Sequence, residues 1–165
     1  MSAAVGVHAF LADAVTRADG KLYAHGAGWN VLGVARLPAV HGHLGLGLIF
    51  SVPAAAAAHP HSFEVRLENA AHEPVTLGEA ALDGKTLRAV ERLAGTLQAG
   101  DMPPEARGIP RMVPVALAFS GLRFETAGEH RFVVDIDGGA GCAVEFAVVP
   151  FPRLTTSRRT GHRSQ

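Results

Sequence analysis

Strict alternation of apolar and polar residues is the clearest pattern in this chain, and it is strongest over residues 62–69, 112–119, 129–137 and 142–149. Successive side chains of a strand point to opposite faces, so this period is typical of half-buried antiparallel strands. One apolar face per strand predicts a shared core, with these members: Phe63, Val65, Leu67, Val115, Leu117, Phe119, Phe132, Val134, Ile136, Val144 and Phe146.

Turn residues separate the alternating runs. The stretches "ADGK" at 18–21 and "DGGAG" at 137–141 are rich in glycine, which accepts the positive φ of tight hairpins. Pro114 lies within a predicted strand and indicates an edge position or a bulge, because proline cannot donate to the ladder. We therefore expect an all-β chain of eight or nine strands with at most one short helix. Its predicted form is an antiparallel two-sheet β-sandwich, and a barrel is the lesser alternative.

Residues 86–98, "TLRAVERLAGTLQ", fit two structures. Leu87, Leu93 and Leu97 have the spacing of one helix face, but Gly95 would cost that helix about 1 kcal/mol relative to alanine. A strand over 93–99 is the alternative.

The length of 165 residues and the 48% of hydrophobic residues indicate one globular domain, which we assign to 1–151. The stretch 152–165 lacks an apolar pattern and predicts a flexible basic tail. No run of about 18 apolar residues is present, so a membrane partner is not expected. The N-terminus lacks the basic region of a signal peptide, and the single Cys142 forms no intrachain disulfide; both favour the cytoplasm.

Two His-x-His pairs, His41 with His43 and His59 with His61, are the candidate metal ligands. Residues i and i+2 of a strand share a face, so each pair offers two imidazoles to one ion. If the two strands form a hairpin, however, the second pair lies at the far end from His43. Two ligands alone do not complete a zinc site. We expect solvent-facing histidines, no metal, no cofactor and no catalytic residue.

The same strand carries Gly45 and Gly47 on the face of His43, and glycine within a strand often marks the close approach of another chain. One hypothesis is an interaction surface formed by His43, Gly45, Gly47 and Trp29. The alternative is that bulky neighbours such as Trp29 or Tyr23 cover the gap. Cys142 alternates with Val144 and is expected to face the core.

The motifs "DGK" at 19–21, "GAGW" at 26–29 and "GEHRFVVDIDG" at 128–138 resemble an uncharacterised, chiefly actinobacterial family, a domain of unknown function. The resemblance covers about residues 7–149. The last motif is also similar to immunoglobulin-like accessory domains, which implies that type of sandwich and favours a strand near 93–99. The family brings no catalytic residues with it.

Net charge is zero, and the four arginines of the tail have no aromatic residues between them, which argues against a nucleic-acid partner. Our leading hypothesis is a non-enzymatic binding or protein-interaction module of a bacterial cell, acting on a protein partner or on a second copy of itself. The alternative is a metal- or ligand-binding enzyme that uses the strand histidines.

Overall fold

The computed structural model describes residues 4–88 and 91–151, and the tail predicted at 152–165 lies outside them. Thirteen strands form within these ranges, more than the eight or nine expected from sequence. They are β1 Gly6–Ala12, β2 Ala14–Ala18, β3 Lys21–His25, β4 Val31–Val34, β5 Ala39–Val52, β6 His61–Asn69, β7 Pro74–Val75, β8 Glu79–Leu82, β9 Lys85–Arg88, β10 Arg92–Leu97, β11 Arg111–Phe124, β12 Gly128–Ile136 and β13 Gly139–Pro150.

The strands form two principal sheets, and the prediction of an all-β fold is confirmed. One has the order β1-β5-β11-β8-β9 and the other β10-β6-β12-β13-β4, with β7 paired to β6. A separate hairpin joins β2 and β3. The sheets are not purely antiparallel, because β4 runs parallel to β13. The only helix among the described residues is a single 3-10 turn, Pro104–Ala106.

The core is the space between the two sheets. Every residue of the predicted core is buried except Val144, which is half-buried and packs against the others. The rings of Phe119 in β11 and Phe132 in β12 stack with centroids 5.2 Å apart and so connect the sheets directly. Apolar alternation in the sequence was therefore sufficient to find these eleven positions and the strand face on which each one lies, although the buried cluster has further members.

The described residues of 86–98 contain strands and no helix. Lys85–Arg88 is β9 and Arg92–Leu97 is β10, which pairs with β6 along its whole length. The glycine that disfavoured the helix has a packing role. A Cβ on Gly95 would lie 2.4 Å from the ring of Phe63, so this position accepts no side chain unless the ring moves.

Pro114 occupies an edge position, as expected. On one side β11 pairs with β5, but on the other side β8 reaches only from Leu117 to Ser120. Proline therefore lies where the second side of the strand has no described partner, and its missing N–H interrupts no ladder there.

Candidate functional site

The four histidines of the His-x-His pairs do not meet. The supposed hairpin is wrong: β5 and β6 belong to different sheets, and the turn between them carries the chain across the sandwich. His41 is half-buried and His43 exposed on β5, while His59 lies exposed in the turn. In residues 4–88 and 91–151, no group of three or more His, Cys, Asp or Glu side chains is placed to hold a metal ion.

His61 is buried, which corrects the expectation of a solvent-facing side chain, and both of its ring nitrogens are engaged. Nδ1 lies 2.7 Å from Oδ2 of Asp137 and Nε2 lies 2.9 Å from the carbonyl oxygen of Ala56. Both partners are acceptors, so the doubly protonated imidazolium satisfies them best. The hydrogen bond that His61 donates to Asp137 is the main reason that the pKa of His61 is raised, and the same bond lowers the pKa of Asp137. Through these two hydrogen bonds, His61 connects the turn after β5 to the β12–β13 turn. Neither of its ring nitrogens is therefore free to bind a substrate.

Gly45 and Gly47 are buried under residues of the same chain and present no open docking surface. A Cβ on Gly45 would lie 2.8 Å from the backbone nitrogen of Val15, and one on Gly47 would lie 2.2 Å from the ring of Phe10. The covering groups are thus Phe10 of β1 and Ala14 and Val15 of β2, not Trp29 or Tyr23. Trp29 lies elsewhere, its ring edge-on to Phe146 at 6.3 Å. The four residues of the expected interaction surface do not form one surface.

Cys142 is half-buried and packs against the core, as its alternation with Val144 predicted. Burial raises the pKa of its thiol, which keeps the group protonated and unreactive at neutral pH.

The outer face of the six-stranded sheet holds a ladder of ion pairs. Glu68 accepts a hydrogen bond from Arg66 Nε at 2.8 Å and is held by Arg131 NH2 at 2.7 Å. Burial opposes ionisation of Glu68, but the two arginines outweigh it and lower the pKa of that carboxyl group. Asp135 pairs with Arg66, and Glu64 pairs with Arg92 at 3.3 Å.

A depression of about 550 Å³ lies at one end of this face, over Gly95 and beside the β12–β13 turn. Its three carboxylates are Glu64, Asp135 and Asp137, and each one already has a cationic partner within the chain. The charges in this depression are therefore largely neutralised within the chain, and few remain to attract a ligand.

A second cleft, of about 570 Å³, lies at the side of the sandwich between β7 and the end of β11. It is lined by Asn69, Glu73, Pro74, Val75, Thr76, Gly121, Arg123, Glu125, Thr126 and His130. A smaller depression of about 150 Å³ shares Asn69 and His130 with it. We call the larger space the His130 cleft.

The cleft exists because two segments diverge from a point of close contact. Gly78 and Gly121 both have positive φ, +65° and +71°, and a Cβ on Gly78 would lie 2.7 Å from the Ser120 carbonyl oxygen. Only glycine tolerates both conditions at Gly78. The pairing of β8 with β11 ends at Ser120, immediately before Gly121. Beyond that point the two segments line opposite sides of the cleft.

Asn69 holds the wall formed by the β6–β7 turn. Its side-chain oxygen accepts hydrogen bonds from the backbone N–H groups of Ala71 and Glu73, at 2.9 and 3.0 Å. Its amide nitrogen donates to the Glu73 carboxylate at 3.0 Å. An asparagine that mimics backbone in this way fixes the turn locally.

His130 is 2% exposed and lies among aromatic rings of the core. Its ring is edge-on to Phe124 at 5.1 Å and stacks on Phe146 at 5.8 Å. Nδ1 lies 3.0 Å from the Gly128 carbonyl oxygen, which only accepts, so Nδ1 must be the donor. In the neutral ring this leaves Nε2 as an acceptor.

Nε2 of His130 has no hydrogen-bond partner among the described residues. In that part of the chain, the fully enclosed side-chain nitrogens and oxygens without a partner comprise only Nε1 of Trp29. His130 is one of the residues that line the cleft, although only 2% of its surface is exposed. A rigid imidazole at the edge of a core, with one nitrogen that has no described partner, is a suitable contact for a ligand.

No pattern in the sequence singled out this cleft. His130 continues the apolar alternation of β12, so it was indistinguishable from a core residue, and the second wall comes from a distant segment. One signal was present: the segment "GLRFETAG" at 121–128, which lies between the alternating runs 112–119 and 129–137, begins with a glycine.

Comparison with known proteins identifies a family and no function. The sequence model of DUF6941, described as a family of unknown function, matches residues 7–149. No curated protein matches the chain significantly.

Among the described residues, none forms a helix able to cross a membrane.

Two solved structures share a distant likeness. One is a β-glucosidase from Listeria innocua in complex with glucose, with 9% identity and a TM-score of 0.44 over 91% of this chain and 16% of that one. The other is the alkylpurine DNA glycosylase AlkC of Pseudomonas fluorescens bound to DNA containing an abasic site analogue, with 12% identity and a TM-score of 0.40 over 87% and 30%. The chain thus spans less than a third of either protein.

Proposed function

The chain belongs to DUF6941, a family of unknown function, and we propose that it is a non-enzymatic binding module of immunoglobulin-like type that holds its ligand in the His130 cleft. The observation that carries the proposal is a buried His130 ring that lines the cleft, is held by Gly128 through Nδ1, and has no described hydrogen-bond partner at Nε2. The cleft wall around His130 is thus already ordered before a ligand binds, and binding costs little conformational entropy there.

Binding is favoured over catalysis by what the polar groups near the cleft already do. Arg123 forms an ion pair with Glu125, and Glu73 accepts from Asn69. The carboxylates near the cleft are thus already paired, so His130 has no free acidic partner for acid–base work there, and a hydrogen bond to a bound ligand is the role that we propose for it. We further propose that the module works in the cytoplasm of a bacterial cell, where a lone cysteine such as Cys142 stays reduced.

Affinity capture from the native cell with matched variants tests the proposal. Thr76→Trp fills the cleft from an exposed position, whereas Thr86→Trp makes the same change on β9, outside it. His130→Phe keeps the ring stacking and removes both nitrogens. We expect a ligand that wild type and Thr86→Trp retain and that Thr76→Trp and His130→Phe lose.

The captured material is read out by mass spectrometry of both peptides and small molecules, so the result does not presuppose a class of ligand. A set of bound species that is identical for all four proteins would contradict the proposal. Circular dichroism and thermal melting of each variant confirm that a loss of binding is not a loss of fold.

A further inference from the structure

The turn between β5 and β6, residues 53–60, covers the core where the chain crosses from one sheet to the other. Ala56 of this turn is buried in the core cluster, and Ala57 packs against the same cluster. The backbone N–H groups of Ala56 and His59 donate to carbonyl oxygens within the turn, at 2.9 and 3.2 Å. Among the described residues, the hydrogen bond that joins this turn to a side chain is the one between Nε2 of His61 and the Ala56 carbonyl oxygen.

The His61 ring lies between two acceptors, and a neutral imidazole cannot satisfy both. Nδ1 faces the Asp137 carboxylate at 2.7 Å, and Nε2 faces the Ala56 carbonyl oxygen at 2.9 Å. An imidazolium donates a hydrogen bond from each nitrogen, whereas a neutral ring has one N–H group and one lone pair. Loss of one proton from His61 therefore removes one of the two bonds.

The bond to Asp137 is the one that the neutral ring keeps. Asp137 is fixed by Ser62, whose backbone N–H donates to its Oδ1 at 2.9 Å, and its own N–H donates to the Ser62 carbonyl oxygen at 3.0 Å. A hydrogen bond to a charged acceptor is roughly twice as strong as one to a neutral acceptor. The N–H of the neutral ring therefore stays on Nδ1, and the lone pair of Nε2 repels the Ala56 carbonyl oxygen.

Asp137 is the charged group that acts on His61. Asp135 of β12 is held in an ion pair of its own on the outer face, and β10 places the apolar Leu97 opposite His61. His59, the other titratable residue of the turn, is exposed.

The segment after β10 brings two further charged residues near the turn. Asp101 and Arg107 line a depression beside Ala57, and the charge that raises the pKa of His61 is that of Asp137. The raised pKa keeps the ring doubly protonated below its ordinary value of 6.5 and moves the loss of the proton above it.

We propose that His61 is a pH-sensitive switch: its imidazolium holds the 53–60 turn against the core, and loss of one proton releases the turn. The released turn uncovers Ala56 and Ala57 while the two sheets stay paired. Local opening of this kind requires less free energy than unfolding of the whole domain. This inference is independent of the His130 cleft and of the ligand proposed for it.

Backbone amide exchange of the wild-type chain measures the release, recorded by NMR from about pH 6 to about pH 9 and divided by the intrinsic rate at each pH. Protection of the Ala56 and His59 amides should fall roughly tenfold or more over this range, because a charge-assisted hydrogen bond is lost. Protection of Phe132 and Val134, in the centre of β12, should stay constant. Side-chain nitrogen shifts of His61 should show the same midpoint and a neutral ring protonated on Nδ1.

Two variants separate the switch from a purely structural role. In Asp137→Asn, the amide oxygen can still accept from Nδ1, but the charge is gone, so the midpoint of release should move to lower pH. His59→Gln, in the same turn, should leave the midpoint unchanged.

Any of four results would overturn the inference. The first is constant protection of the turn while His61 titrates, and the second is a neutral ring that carries its proton on Nε2. The third is an equal fall at Phe132 and Val134, which would show unfolding of the whole domain. The fourth is a midpoint that Asp137→Asn leaves in place or that His59→Gln moves.

Discussion

Residues that share the same alternation pattern in this protein have different structural roles. His61, His130 and Phe146 are all buried on the inward face of their strands. His61 forms an ion pair, His130 is a candidate ligand contact, and Phe146 is a core residue. Alternation predicted that Phe146 is buried, because it depends only on periodicity. It did not separate the other two from the core or from the surface, because their roles depend on Asp137 and Gly128, which folding brings close.

The His61–Asp137 pair predicts a pH dependence of stability. The raised pKa of His61 means that its contribution is complete below the ordinary value of 6.5 and is lost as pH rises through the folded value. The lowered pKa of Asp137 means that its contribution is present above its ordinary 3.8 and is lost as pH falls through the folded value. From this pair alone, the window of greatest stability lies between those two ordinary values.

Urea unfolding of wild type and Asp137→Asn at pH values from about 6 to about 9 measures this effect. Asparagine tolerates the left-handed φ of +50° at position 137, so the backbone is preserved. Wild type should lose more stability than the variant as pH rises over this range. Equal losses would show that the pair is not ionised in the folded protein.

A second prediction at the residue scale concerns the contribution of Phe132 to the free energy of unfolding. Its ring is fully buried and stacks on Phe119 at 5.2 Å and on Phe146 at 5.9 Å. Phe132→Ala should lower the free energy of unfolding by about 3–5 kcal/mol, because it leaves a cavity between the sheets. Phe151→Ala is the matched control, since that ring is 58% exposed. Similar costs for the two variants, measured by denaturant unfolding, would contradict the described core.

At the scale of elements, the β2–β3 hairpin covers one face of the five-stranded sheet, and Gly45 makes this possible. A Cβ on residue 45 would lie 2.8 Å from the backbone nitrogen of Val15 and 3.0 Å from the carbonyl carbon of Ala14. The sequence indicated that something approaches this strand closely, since Gly45 and Gly47 alternate with leucines. It did not indicate what, because the approach is made by strands some thirty residues earlier in the chain.

Gly45→Ala should therefore destabilise the protein by about 1–3 kcal/mol, because backbone atoms cannot give way as a flexible side chain can. Gly42→Ala, on the same strand, is the control: nothing lies within 4 Å of its Cβ position, and its φ is not positive. Thermal melting compares the two variants, and an equal effect would show that the hairpin does not pack on Gly45.

The ambiguity over residues 86–98 was also resolved at this scale. Local spacing is compatible with a helix, but β10 pairs with β6 and seats Gly95 against Phe63. Pairing with a distant strand and a close ring contact are tertiary effects, and they override a weak local propensity.

The two principal sheets differ in what lies on their outer faces. One sheet is covered by the chain's own hairpin, and the other bears arginines and carboxylates that neutralise one another. The side opening at the His130 cleft combines a turn fixed by Asn69 with a buried imidazole whose Nε2 has no described hydrogen-bond partner. The cleft follows from topology, and for that reason the sequence alone predicted the all-β fold and not the cleft.

Backbone amide hydrogen exchange of the wild-type chain, with and without the ligand captured from the native cell, tests the central claim most directly. Binding in the His130 cleft should protect amides within 69–76 and 121–130 and leave the outer face of the six-stranded sheet unchanged. Protection confined instead to 62–64, 94–96 and 135–138, which line the other depression, would contradict the assignment of the site.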